Sequence, residues 1–156
     1  MTEIERKFLV DHKKWRQLDK PEPTHLRQGY IVNEVNKTIR VRIAGEQAYL
    51  TIKGPTTEIS RSEYEYPLPL KDAIELLDNF AVSWIEKKRY RINFAGHLWE
   101  VDEFLGDNLG LIVAEIELEH EAAEFELPGW VGVEVSGDKR YYNSSLSIYP
   151  FSKWKQ

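Results

Sequence analysis

The stretch Thr2-Glu3-Ile4-Glu5-Arg6-Lys7-Phe8-Leu9-Val10 decides how the rest of the chain is read. Glu3, Glu5 and Lys7 take every second position, with Ile4 and Phe8 between them. Side chains of a strand alternate between its faces, so two acids and a base share one face and the apolar residues take the other. Such a strand ordinarily wets its charged face and buries the apolar one. Whether this one does so depends on what the other strands carry.

The alternation recurs along the chain. Arg40 and Arg42 flank Val41, Thr51 and Lys53 flank Ile52, and Arg61, Glu63 and Glu65 share a face. So do Lys87, Arg89 and Arg91, then Glu100 and Asp102, then Glu115, Glu117 and Glu119. The charges are sorted by strand. Arg40, Arg42, Lys53, Lys87, Arg89 and Arg91 are on basic strands, while Glu63, Glu65, Glu100, Asp102 and the 115–119 acids are on acidic ones. A merely solvated surface mixes signs more freely, and like charges opposed across a hairpin cost stability. A basic cluster is tolerable where it receives an anion. The charged faces are therefore expected to point into a closed barrel, which with eight strands has room for one small ligand. An interior so charged must be wet or ligand-filled.

Strands are expected near residues 2–10, 26–32, 38–43, 48–53, 59–66, 84–94, 97–104 and 111–119, the fifth closed by Pro67 and Pro69. Gly29 marks a bulge or a close approach, and Ala95-Gly96 a tight hairpin turn. Helices are expected over 11–18, capped by Asp11, over 70–79, near 121–126 and over 138–146, with 131–135 extended. The fold class is mainly β (α+β): an eight-stranded antiparallel closed barrel, or tunnel, with a few helices packed outside, forming a single domain over residues 1–156.

Composition narrows the chemistry. With 42% hydrophobic and 30% charged residues the chain is globular, and a net charge of −5 argues against a nonspecific nucleic-acid binder. The absence of cysteine excludes disulfides, thiolate metal sites and a cysteine nucleophile. The acidic N-terminus is unlike a signal peptide and no apolar run is long enough to span a membrane, so a cytoplasmic location without membrane attachment is expected. The four histidines lack the spacing of a zinc site, and the five tryptophans read as packing residues. Clustered Arg and Lys recognise phosphate oxygens, and carboxylates at i, i+2 on two strands suit a hard divalent cation, Mg²⁺ or Mn²⁺. Facing one cavity, the two sets describe a polyphosphate site working by positioning and charge neutralisation.

These residues resemble a known family. Glu3-Ile4-Glu5-Arg6-Lys7 is similar to the N-terminal ExExK signature of the CYTH superfamily, the triphosphate tunnel metalloenzymes. Arg40-Val41-Arg42, Thr51-Ile52-Lys53, Glu63-x-Glu65, Lys87-x-Arg89, Asp102, Glu115-x-Glu117 and Gly137-Asp138-Lys139-Arg140-Tyr141 resemble its later motifs in the same order. Lys139 departs from the proline of many members. The resemblance implies an eight-stranded tunnel and metal-dependent hydrolysis or cyclisation of a triphosphate. It implies Glu3, Glu5, Glu115 and Glu117 as metal ligands and Lys7, Arg40, Arg42, Lys53, Lys87, Arg89 and Arg140 as triphosphate contacts. Glu63, Glu65 and Asp102 become supporting tunnel acids, and Lys7, Glu5, Glu117 and Lys87 the residues closest to catalysis. A homodimer is an expectation at the family level. The expected activity is hydrolysis of inorganic tripolyphosphate with Mg²⁺ or Mn²⁺. The competing readings are a class IV adenylyl cyclase, a nucleoside or thiamine triphosphatase, and a non-catalytic polyphosphate-binding module.

Overall fold

The computed structural model describes residues 2–57 and 59–154. Nine strands form one sheet: β1 (Thr2–Val10), β2 (Thr24–Glu34), β3 (Lys37–Ala44), β4 (Gln47–Lys53), β5 (Ser60–Leu68), β6 (Ser83–Phe94), β7 (His97–Phe104), β8 (Ile112–Glu117) and β9 (Val131–Glu134). Their order is β5-β4-β3-β2-β6-β7-β8-β1-β9, all the pairings are antiparallel, and β5 also pairs with β1. That last contact closes eight strands into a barrel. It is short, running over Thr2–Ser62, Glu3–Arg61 and Ile4–Ser60. Beyond it the same edge of β1 is taken up by β9, from Phe8 to Val10.

The described residues also form three α-helices: α1 (His12–Gln17), α2 (Leu70–Phe80) and α3 (Asn143–Leu146). Asp11 caps α1 by accepting from the Lys14 N–H at 3.1 Å, satisfying one of the donors a helix start leaves free. The stripe of α2 buries Ala73 and Leu77 against Val41, Ile43 and Ala48 on the outer face of β3 and β4. At Gly29 this packing is so close that a Cβ would meet Leu77 Cδ2 at 2.7 Å, so the glycine serves a close approach. The irregularity in β2 lies between Tyr30 and Val32 instead. A second core covers the outer faces of β1, β7 and β8, where Phe8, Trp99, Val101 and Ile116 meet Trp15 of α1 and Trp130. Trp99 and Trp130 are thus interior to this chain. The outer face is not covered everywhere: Tyr64, Tyr66 and Trp84 stay exposed.

A third core is inside the barrel. Ile85, Phe104 and Val113 share the inward face with Lys87, Asp102 and Glu115, one step further along each strand. They pack with Leu111, Tyr141 and Leu146, and Phe151 and Trp154 lie against them. The C-terminal segment therefore plugs one end of the barrel with apolar side chains.

Four sequence expectations need correction. Pro67 does not close β5; it pairs in register with Tyr49, on a stretch where β5 has β4 on one side only, so its missing N–H is not needed. Residues 121–126 form no helix. Ala123 and Phe125 both pack on the second core, an i, i+2 spacing that extended chain satisfies and a helix does not. The 138–146 helix is two pieces, a 3-10 turn over Lys139–Tyr141 and then α3. The eighth strand covers Ile112–Glu117 rather than 111–119. Among the described residues, no helix is long and apolar enough to cross a membrane.

Candidate active site

The inward face holds the charge. Lys7, Arg40, Lys87, Arg89, Asp102 and Glu115 are all buried, each on the side of its strand that the alternation assigns to the interior. Above the apolar plug lies a front cavity of about 500 Å³. Its acids are Glu3 and Glu5 from β1, Glu63 and Glu65 from β5, and Glu115 and Glu117 from β8, with Glu100 beside them. Its bases are Arg40, Arg42, Lys53, Arg89 and Arg91. A smaller rear cavity shares Glu5, Arg40, Lys53 and Asn143 with the first and adds Lys7, Tyr30 and Arg61.

Ion pairs tie the two sets together. Lys53 reaches Glu3 at 3.1 Å, and Lys7 lies 3.5 Å from Glu115 while donating to the Tyr141 carbonyl at 3.2 Å. Arg89 grips Asp102 bidentately, at 2.8 and 2.9 Å, and lies 3.4 Å from Glu100. Lys87, fully covered, stands 2.7 Å from the same Asp102 and donates to Asn143 Oδ1 at 3.0 Å. Arg40 donates to Thr51 at 3.0 Å and Arg42 to Gln28 at 2.9 Å, both neutral partners. Thr51 in turn donates to Glu65 at 3.3 Å, and Glu63 faces Lys53 across β4 and β5.

The pairing leaves charge uncompensated on both sides. Glu5 is directly opposite Glu117 on the paired strands β1 and β8, an arrangement that costs stability without a cation. Burial, then Glu115 and Glu3, push the Glu5 carboxyl up to about 7. Burial likewise raises Glu3, with Glu63 adding to it, and raises Glu117, with Glu3 and Glu100 adding to it. The bases move the opposite way. Burial, Arg40 and Arg89 pull the Arg42 guanidinium down to about 9. Burial also draws Lys87 below the usual lysine range, Asp102 opposing it and Arg89 and Arg42 adding to it. Two groups are well matched. Against the cost of burial, Arg89 and Lys87 hold Asp102 well below the usual carboxylate range, and Lys7 and Arg89 hold Glu115 at about 2.

The oxygens of Glu3, Glu5, Glu115 and Glu117 are the donor type a hard divalent cation takes. Burial first, and then the neighbouring carboxylates, raise Glu3, Glu5 and Glu117, and a cation among them would oppose that shift. Among the described residues no three acids or histidines already converge on one point. The four carboxylates could each supply oxygen donors to a hard divalent cation whose remaining positions water and ligand oxygens would fill.

Most of the expected site residues thus gather around the two cavities, while Lys87 and Asp102 are covered behind the wall and Arg140 lies apart. Arg140 is exposed, paired with Asp138 at 2.8 Å and stacked over Tyr141 and Trp154 at 5.5 and 5.1 Å, and it is on neither cavity wall. The structure also brings in residues that sequence reading passed over. Arg61 and Arg91 line the cavities and were visible as members of the alternating sets. Thr51 was visible beside Lys53 on the alternating face, whereas Gln28 and Asn143 are neutral, and nothing in a charge pattern could have found them.

The CYTH domain family matches residues 1–147 of the chain. An inorganic triphosphatase of Acetivibrio thermocellus is 48% identical over 155 residues, which is 99% of this chain and 98% of that protein. An inorganic triphosphatase of Nitrosomonas europaea is 36% identical over 152 residues, covering 95% of this chain and 98% of the relative. Among solved structures, that of the inorganic triphosphatase NE1496 superimposes with a TM-score of 0.65 at 33% identity, covering 93% of this chain and 97% of the other.

Proposed function

This chain belongs to the CYTH family, and from that premise we propose that it hydrolyses inorganic tripolyphosphate to pyrophosphate and phosphate in its barrel, with a divalent metal. The observation that carries the reading is that Glu3, Glu5, Glu115 and Glu117 share one cavity with Arg40, Arg42, Lys53 and Arg89. The buried acid at Glu5 is pushed up to about 7 and the buried base at Arg42 down to about 9 within one space. A ligand that brings both a cation and a polyanion relieves both at once.

In this reading Glu3, Glu5, Glu115 and Glu117 hold the metal, Mg²⁺ or Mn²⁺. When bound it supplies Lewis-acid neutralisation of phosphate oxygens. Lys7, Arg40, Arg42, Lys53 and Arg89 surround the triphosphate and take up the negative charge that shifts to the leaving pyrophosphate as water attacks the terminal phosphorus. Lys87 adds its charge from behind the wall. Lys7, Glu5, Glu117 and Lys87 are the residues on which rate depends most. Asp102 holds Arg89 and Lys87 in place, while Glu65 and Glu63 steady Thr51 and Lys53. The apolar plug excludes water from one end. A small anionic substrate and a cytoplasmic setting accompany the proposal.

The test is phosphate release from tripolyphosphate, ATP and thiamine triphosphate, with Mg²⁺, with Mn²⁺ and with chelator. Tripolyphosphate should be turned over best, chelation should stop it, and Glu5→Gln should lower kcat/KM on the order of 100-fold or more. Faster turnover of ATP would favour a nucleotide enzyme, with cyclic AMP as product marking a cyclase. Metal-dependent binding without phosphate release would make the chain a binding module.

A further inference from the structure

Asn143 occupies a position that its chemistry makes informative. It is the first residue of α3, outside the barrel strands, yet it is on the wall of both cavities. Behind it lies Lys87, whose amine is completely covered. The Asn143 Oδ1 accepts from Lys87 Nζ at 3.0 Å. The amine's other close partner, Asp102 at 2.7 Å, already receives both arms of Arg89, so one carboxylate serves two buried cations. Paired with Asp102, the amine acts as the donor, and the amide turns its oxygen to it. Its NH₂ is then the polar group Asn143 has left for the cavities. Among the hydrogen bonds of the described residues, Asn143 Nδ2 donates to no protein acceptor.

The amide is also held still. Leu146, three residues on, is fully buried in the apolar plug. Asn33 Nδ2 donates to the Ser144 carbonyl at 3.0 Å, and Ser147 Oγ meets Ser83 Oγ at 2.8 Å. β2, β6 and the plug thus fix where α3 begins.

We propose that Asn143 is a substrate-contacting residue of the barrel: a neutral donor, aimed by Lys87, whose amide NH₂ binds a phosphate oxygen where the two cavities meet. A hydrogen bond from an aligned amide to a phosphate oxygen is charge-assisted and strong. Through it the positive charge of Lys87 acts on the substrate without the lysine leaving cover. The inference rests on the proposal that the cavity takes tripolyphosphate.

Two substitutions separate this role from a purely structural one. Asn143→Asp keeps an acceptor for Lys87 but replaces the cavity-facing donor with a negative charge. Asn143→Ala removes both. If Asn143 donates to phosphate, the KM for tripolyphosphate and its calorimetric Kd should rise in the order wild type, Ala, Asp, with Asn143→Asp at least about tenfold weaker. If Asn143 only holds Lys87, Asn143→Asp, which keeps that acceptor, should bind at least as well as Asn143→Ala, and that order overturns the proposal. Should Asn143→Asp fail to fold, as judged by circular dichroism, Asn143→Ala decides alone, and affinity equal to wild type overturns it. Wild-type protein that neither binds nor hydrolyses tripolyphosphate would instead defeat the function on which the inference stands.

Discussion

Glu5 shows what single residues contribute to this barrel. Its folded-state carboxyl is raised to about 7, above the unfolded value of 4.5, so between those values the folded chain holds a proton the unfolded chain has lost. The stability this residue contributes is full below the unfolded value and is lost as pH rises toward about 7. In chelator, the protein should melt at lower temperature at pH 7.5 than at pH 5.5. Glu5→Gln should flatten that difference by on the order of 1–3 kcal/mol, measured by thermal unfolding at both pH values. Asp102 and Glu115 are shifted the other way, so their stabilisation is lost only at more acid pH. At this scale the sequence was informative wherever charge alternated, because inward placement follows from period two. It was silent at Asn143 and Gln28, which have no charge to sort. Arg140 was legible only as part of a motif, and there Asp138, two residues earlier, captures the guanidinium locally.

Among the elements, strands were easier to read than their limits. The alternation of β1, β3, β4, β6 and β7 located each of them closely, since each has a charged face against an apolar one. Pro67 and the 121–126 segment defied local rules because tertiary partners overrode them: a one-sided stretch of β5 in the first case, the pull of the second core on Phe125 in the second. The hairpin between β6 and β7 satisfies its local rule at some cost. Ala95 and Gly96 both have positive φ, 49° and 80°, as a type I′ turn requires, and alanine is a poor occupant of that region. Ala95→Asn or Ala95→Gly should stabilise the fold by about 0.5–1 kcal/mol, measured by chemical denaturation, with tripolyphosphate turnover unchanged.

For the whole molecule, the C-terminal segment couples stability to the site. The alternating charges foretold a closed barrel with a charged interior. They could not foretell which end would be plugged, because the plug is assembled from strand ends and from residues 141–154, far apart in sequence. Leu146 belongs to the plug and shares a short helix with Asn143. Leu146→Ala should cost about 2–5 kcal/mol in chemical denaturation, and at temperatures where the variant stays folded it should weaken tripolyphosphate binding in calorimetry. The closure of the barrel has a consequence in time. β1 is synthesised before its neighbours β5, β8 and β9, and Glu5 meets Glu117 only when β8 has been made. With synthesis at roughly 5–20 residues per second, the first strand waits on the order of 10 s for its last partners. Until then the edge of β1 that faces β8 is unpaired, and no shorter nascent chain can bring the carboxylates of β1 and β8 together. The paired carboxylates of β1 and β8 thus assemble in one step, after β8 is made, rather than strand by strand.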